Sequence, residues 1–448
     1  MKDAVASGQS DVITSWMRAV TDPTERARQV AALAPAEMRS LGNLLDAKAG
    51  IQLYVSVDDQ LAATVLRTLP AQRVAQFLDL LDSDHAGNVL REVDGNQREE
   101  WLTALPLERA NVLRGLLSWP EDSAAAHMVP ETLTVRSTMT AAEAVDAVRA
   151  HSSHVRHDSR TGAYIYVTDE DNRLLGVVPF RALVLAGATR TVTDLMDEDV
   201  IAVSPLTDKE DAAQVLMDYR LVALPVIDAD RRLLGVLTED DAGDIAEEEA
   251  TEDAEKQGGS APLEVPYLRA SPWRLWKKRI VWLLVLFAAE AYTGTVLRAF
   301  EDELEAVVAL AFFIPLLIGT GGNTGTQITT TLVRAMATGQ VRFRDLPQVL
   351  AKEMSTGVLI ALAMAGAALI RAWTLGVGPE VTLTVTMAVA AIVMWSSLIA
   401  SVLPLVLKKV GVDPAVVSAP MIATVVDGTG LLIYFWIASV TLSELAGL

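Results

Sequence analysis

Asp427 lies in "MIATVVDGTGLLIYFW", near the middle of a run apolar enough to cross a bilayer. A lone carboxylate at that depth is costly and marks a functional site by default. Gly428, Thr429 and Gly430 beside it leave room for water or for a closely packed helix. A second polar island is "IPLLIGTGGNTGTQITTTLVR" (Ile314–Arg334), which starts as a membrane helix and then turns to glycine, threonine and amide residues. Backbone polar groups at membrane depth must be satisfied internally or line a watery cavity. The stretch is therefore either a tight helix-packing seam or a pore-lining break in a helix. Packing alone explains the glycines. Asn323 and Gln327, four residues apart on one helical face, point instead to pore lining or gate support, with Gly322 and Gly325 as their companions.

The third chemical feature is "EDDAGDIAEEEATEDAEK" (Glu239–Lys256), with ten acids and one lysine. Alanine and glutamate favour a helix here. Carboxylates this dense repel one another by on the order of 1 kcal/mol per close pair in water. Divalent cations could bridge them to neighbouring domains or to a second subunit, which would make the segment a cation sensor. The chain has no cysteine and five histidines, so thiolate metal chemistry is absent. Oxygen ligands favour a hard cation, and Mg2+ keeps most of its waters, so one carboxylate per subunit plus backbone oxygens can suffice. In a homodimer Asp427 would occur twice around the two-fold axis.

Five runs are candidates to hold these groups in a bilayer: Ile280–Val296, Ala306–Ile318, Val358–Ile370, Val381–Leu407 and Pro420–Leu442. The second and third reach the required ~20 residues only as Glu305–Thr324 and Leu350–Trp373. Lys277, Lys278 and Arg279, then Arg342 and Arg344, then Lys408 and Lys409 fall on alternate loops, on the side of the large N-terminal region. By the positive-inside rule the N-terminus is cytoplasmic and the C-terminus extracytoplasmic, in the cell membrane. The glycine-rich island is then expected at the cytosolic end of the second span. "MKDAVASGQSDVITSW" lacks the apolar core of a signal peptide, so the first domain is expected in the cytosol.

Ahead of the membrane region, "YIYVTDEDNRLLGVV" (Tyr164–Val178) returns as "ALPVIDADRRLLGVL" (Ala223–Leu237), with Gly176 and Gly235 59 residues apart. Each unit reads as strand, acidic turn, strand and helix, preceded by a further helical run. Tandem units of this kind resemble a pair of CBS domains, whose cleft often binds adenine nucleotides such as ATP. Before them, Pro35, Pro70 and Pro106 recur about one helical hairpin apart at helix starts, which suggests a superhelical stack or a helical bundle. A formal charge of −20 excludes nucleic acid as a partner. No Walker loop, nucleophile elbow or metalloprotease box occurs, so the chain does not read as an enzyme.

The chain resembles the MgtE family of magnesium channels. The resemblance rests on "PEDSAAAHM" (Pro120–Met128), "DDAGDIAEEEATED" (Asp240–Asp253), "GGNTGTQ" (Gly321–Gln327) and "DPAVVSAPMIATVVDGTGLLIYF" (Asp413–Phe435). It implies a multidomain homodimer. Each subunit would have an all-α superhelical N domain (1–122), an α/β CBS pair (123–189 and 190–245), an acidic plug helix (246–272) and an all-α pore domain of five transmembrane helices (273–448). It implies that Asp427 holds hydrated Mg2+ in the pore, and that Asp241, Asp244, Glu249, Glu252 and Asp253 bind regulatory Mg2+ that closes the channel when cytosolic Mg2+ is high. Two residues depart from the family pattern: Arg220 stands where relatives commonly carry an acid, and Ala125 where the linker usually has glycine. The competing readings are a CBS-regulated channel for another ion and a membrane sensor of ions or nucleotides that transports nothing.

Overall fold

A computed structural model describes residues 1–151, 163–413 and 419–445. The chain divides into two compact units, Met1–Glu248 and Glu249–Leu448.

In the first unit ten helices, α1 to α10, fill Lys2–Leu117. The prolines do what their type dictates: Pro35 is the first residue of α4 (Pro35–Leu44), while Pro70 and Pro106 immediately precede α7 (Ala71–Leu78) and α10 (Leu107–Leu117). Each helix packs on the next but one. α4 packs on α6 (Asp59–Leu66), α6 on α8 (Ser83–Arg91) and α8 on α10. This is the arrangement of a stack. Aspartates at helix starts supply caps: Asp46 and Asp58 accept from the backbone N–H groups of Ala49 and Leu61.

The CBS region repeats its local physics with its sequence. β1 (Thr134–Arg136) pairs parallel with β2 (Tyr164–Thr168), and β2 pairs antiparallel with β3 (Leu174–Pro179). β4 (Ala223–Ile227) and β5 (Leu233–Thr238) form the matching hairpin. In the two turns Asp169 Oδ1 accepts from the N–H groups of Asp171 and Arg173, and Asp228 Oδ1 from those of Asp230 and Arg232. Asn172 and Arg231 occupy the left-handed region at equivalent places. The turns also bond to each other: Leu174 N–H donates to Arg231 O and Leu233 N–H to Asn172 O. The repeated glycines are required, because a Cβ on Gly176 would lie 2.8 Å from Asp197 O and one on Gly235 2.7 Å from Val129 O. α11 (Ala141–His151), α12 (Phe180–Leu185) and α13 (Lys209–Asp218) complete the pair, and α14 (Glu239–Gln257) continues from β5 as the acidic helix.

Among the described residues of the second unit, five helical segments are long and apolar enough to span a bilayer. They are α15 (Pro272–Ala299), then Val308–Ala337 comprising a 3-10 turn and α17 (Ile314–Ala337), then α18 (Leu346–Leu375), α19 (Pro379–Lys409) and α20 (Ala419–Thr441). The short α16 (Glu301–Ala306) follows the first span. Two expectations about the second span are corrected. It extends to Ala337, so the glycine-rich island lies in its middle rather than at its cytosolic end. The helix is also continuous through the island, so the alternative of a break does not hold. The hydroxyls of Thr324 and Thr331 are satisfied within the helix by the carbonyls of Thr320 and Gln327 one turn back, so they need no break in it.

Candidate functional site

The membrane unit is built on contacts that only small residues allow. α17, α19 and α20 pack mutually, and α15 lies against α20. A Cβ on Gly321 would lie 2.7 Å from Ile392 Cγ2 and 2.8 Å from Val426 Cγ1. One on Gly325 would lie 2.6 Å from Ile422 Cγ2 and 2.8 Å from Ser396 Oγ. Ser396, fully buried on α19, donates to Gly321 O at 2.7 Å. Trp395 Nε1 donates to Thr429 Oγ1 at 2.8 Å, and Tyr434 OH to Leu310 O at 3.1 Å. The glycines of the island are thus a seam.

That seam places Asp427. A Cβ on Gly322 would lie 3.5 Å from Asp427 Oδ1 and 3.3 Å from Ala423 Cβ, so the glycine leaves open the space beside the carboxylate. Asp427 is half-buried, and its Oδ1 is buried without a hydrogen-bond partner among the described residues. One residue further along α20, a Cβ on Gly428 would strike the Tyr292 ring at 2.5 Å. Of the predicted pore-supporting residues, Gly322 and Gly325 are buried at the crossing of α17 with α20. Asn323 and Gln327 lie on the exposed face of α17 in the single chain.

Asp241 and Asp244 belong to the first unit, and Glu249, Glu252 and Asp253 to the second. Asp241 and Asp244 line a cavity of about 190 Å3 in the first unit, together with Asp58, Asp59, Asp84, His85, His127 and Tyr54. Asp84 is 4 % exposed, and its Oδ1 has no hydrogen-bond partner among the described residues. Thr238 donates its hydroxyl to Asp241. Burial, then the charge of Asp84, pushes the Asp241 carboxyl well above the usual carboxylate range. Burial raises Asp59 to about 6. Burial also raises Asp244, against the pull of His85. Burial works against the His85 imidazolium, but Asp84, Asp59 and Asp82 outweigh it and raise its pKa. Burial lowers His127 to about 4. Among the described residues no three acid or histidine side chains converge closely enough to ligate a bare ion. A cavity of this size with scattered carboxylates suits a cation that keeps its waters.

The signs of these shifts give a pH prediction. A carboxyl raised in the folded state holds a proton that the unfolded chain releases, so stability falls as pH rises from about 4 through the folded values. A raised histidine loses its stabilising charge in the same direction, whereas His127, lowered to about 4, works the other way up to about pH 6.5 and is outweighed by the four raised groups. In chelator, the melting transition of the first unit in the full-length protein, followed by circular dichroism, is expected to drop between pH 5 and 8. Added Mg2+ is expected to restore it at pH 8 and to have little effect at pH 5. A transition that rises with pH in chelator would contradict this.

At the other end of α14, within the second unit, Lys256 Nζ lies 2.6 Å from Glu252 Oε1 and 2.6 Å from Asp413 Oδ2. Burial opposes the ammonium, but bonds to Asp413 and Glu252 raise its pKa. Asp253 is raised by burial and then by Asp413, against Lys256 and Arg334. Glu249 is half-buried on the same helix, and Arg220 is exposed in a left-handed conformation after α13. The sequence reading missed Asp59, Asp84 and His85. Their only signal was "VDDQL" and "DSDHAGN" at two helix starts, where acids ordinarily act as caps. Asp413 was visible only as the first residue of the last-span motif.

The family model MgtE, a divalent cation transporter, matches residues 314–437. The MgtE intracellular N domain matches residues 21–122, and CBS domains match 124–188 and 192–242. The chain is 40 % identical over 337 residues to the magnesium transporter MgtE of Thermus thermophilus, covering 75 % of this chain and 74 % of that protein. It is 31 % identical over 335 residues to the magnesium transporter MgtE of Enterococcus faecalis, covering 74 % and 72 %. Among solved structures, the cytosolic domain of the Mg2+ channel MgtE in complex with ATP aligns at 29 % identity with a TM-score of 0.39, over 49 % of this chain and 93 % of that one.

Proposed function

The chain belongs to the MgtE family of divalent cation transporters, and on that premise we propose that it is a Mg2+-selective uptake channel closed by cytosolic Mg2+. The observation that carries the proposal is Asp427: a carboxylate in the middle of a membrane helix, with an unpartnered buried oxygen and a glycine opposite that keeps space beside it. Hydrocarbon does not tolerate such a group unless water or a cation reaches it. Transport, rather than catalysis, follows from the same residue.

The working unit is a homodimer in the cell membrane, with the first unit in the cytoplasm and the C-terminus outside, an orientation that the alternation of basic loops supports. Two Asp427 carboxylates then face one axis, and Asn323, Gln327, Gly322 and Gly325 support the path. Asn323 and Gln327, exposed on the single chain, are covered by the second copy or by pore water. Asp241 and Asp244 hold regulatory Mg2+ with the N-domain acids. Glu249, Glu252 and Asp253 do so nearer the membrane. An adenine nucleotide at the CBS pair belongs to the same reading, supported by the family match over residues 124–188 and 192–242.

The test is Mg2+ influx into vesicles containing the full-length protein, at graded Mg2+ on the cytoplasmic side and with several divalents compared. Influx should be steep at low cytoplasmic Mg2+ and suppressed at millimolar levels. Influx independent of cytoplasmic Mg2+ would count against the gating, and no influx of any divalent against transport itself.

A further inference from the structure

We propose that Glu290 is a second carboxylate of the permeation path, a cation site on the cytosolic side of Asp427. The proposal rests on reading Asp427 as the pore acid and extends that site within the same subunit.

Glu290 lies in the apolar part of α15, where an isolated acid is as costly as Asp427 itself. It is exposed on the chain and has no apolar cover. Tyr292 and Thr293, two and three residues further on, press α15 against α20 at Gly428: a Cβ there would lie 3.3 Å from Thr293 Oγ1. Residues three apart share a helical face, so Glu290 and Thr293 both lie toward α20.

Thr293 supplies an independent observation. It is 5 % exposed, and its Oγ1 is buried without a hydrogen-bond partner among the described residues, as is Asp427 Oδ1 next along α20 from Gly428. Two oxygens without partners among the described residues therefore lie at neighbouring positions of the α15–α20 contact, with a second acid one turn away on α15. Buried oxygens without partners are rare unless a water or ion satisfies them. Their chemistry, two carboxylates and a hydroxyl, fits a divalent cation that exchanges some protein contacts for its own waters. Both helices start at the basic, cytosolic side, so Glu290 lies about one helical turn, ~5 Å, closer to the cytosol than the Thr293–Gly428 contact. That spacing lets a hydrated ion leave Asp427 for Glu290 without giving up carboxylate contact.

The experiment compares Glu290→Gln, Glu290→Asp and Asp427→Asn in vesicles, with a fluorescent Mg2+ indicator inside and Mg2+ as the probe. Glu290→Gln is expected to raise the half-saturating Mg2+ concentration about tenfold, equivalent to the loss of one favourable charge contact. Glu290→Asp, which keeps the charge one methylene shorter, should shift it twofold to threefold. An unchanged half-saturation in Glu290→Gln, alongside a dead Asp427→Asn, would overturn the second site and leave the pore acid standing. Unchanged flux in Asp427→Asn would overturn the pore reading itself. Should Glu290→Gln fail to give a monodisperse dimer, Glu290→Asp decides: a twofold to threefold shift supports the site, and no shift overturns it.

Discussion

A protein carrying Asp241→Asn and Asp244→Asn is expected to conduct Mg2+ at cytoplasmic concentrations that shut the wild type. The concentration giving half-suppression should rise at least tenfold. Burial and Asp84 hold the Asp241 carboxyl high, and burial raises Asp244, so the cation-free cavity is a region of unfavourable charge. A hydrated Mg2+ bound there relieves that repulsion and holds the N-domain acids and the first turns of α14 together. Neutral asparagines remove the charge that attracts the cation, so the bridge that holds the closed state is not formed at the concentrations that close the wild type. The measurement is vesicle influx against cytoplasmic Mg2+, with the wild type alongside. If the double variant closes at the same concentration as the wild type, the cavity is not the sensor. Glu252 and Asp253 near Asp413 and Lys256 would then be the group to test, because Lys256 already supplies a fixed positive charge there.

The sequence carried the large features because each had a strong local cause. The 59-residue repeat is legible because a tight acidic turn and a glycine under a neighbouring carbonyl recur in both halves. The spans are legible from apolar length, although their ends are not. α17 extends past the glycine-rich island because threonine hydroxyls and amides are tolerated in a helix whose neighbours are buried serines and small residues. The glycines were read as either seam or break. Only the approach distances to Ile392, Val426 and Ile422 select the seam. The N-domain side of the cavity was not legible. Asp59, Asp84 and His85 meet Asp241 and Asp244 only through the stacking of α6 and α8, and no spacing along the chain encodes that meeting. Glu290 lies within the apolar run Ile280–Val296, but α15 is apolar nearly all round, so the face it occupies is not legible until Tyr292 and Thr293 are placed against Gly428.

Asp427→Asn is expected to have the largest effect of any single change. The side chain keeps its shape, so the seam with Gly322 and Ala423 is retained and the purified protein should keep its helicity and size. What is lost is one negative charge per subunit in a low-dielectric site, where an ion contact is worth several times its value in water. A loss of about 3 kcal/mol corresponds to roughly a hundredfold in affinity. The decisive measurement is the initial rate of Mg2+ influx into vesicles holding equal amounts of wild-type and Asp427→Asn protein, with cytoplasmic Mg2+ kept low. The account predicts a rate at least a hundredfold below wild type for a correctly folded variant. A rate equal to that of the wild type would contradict it.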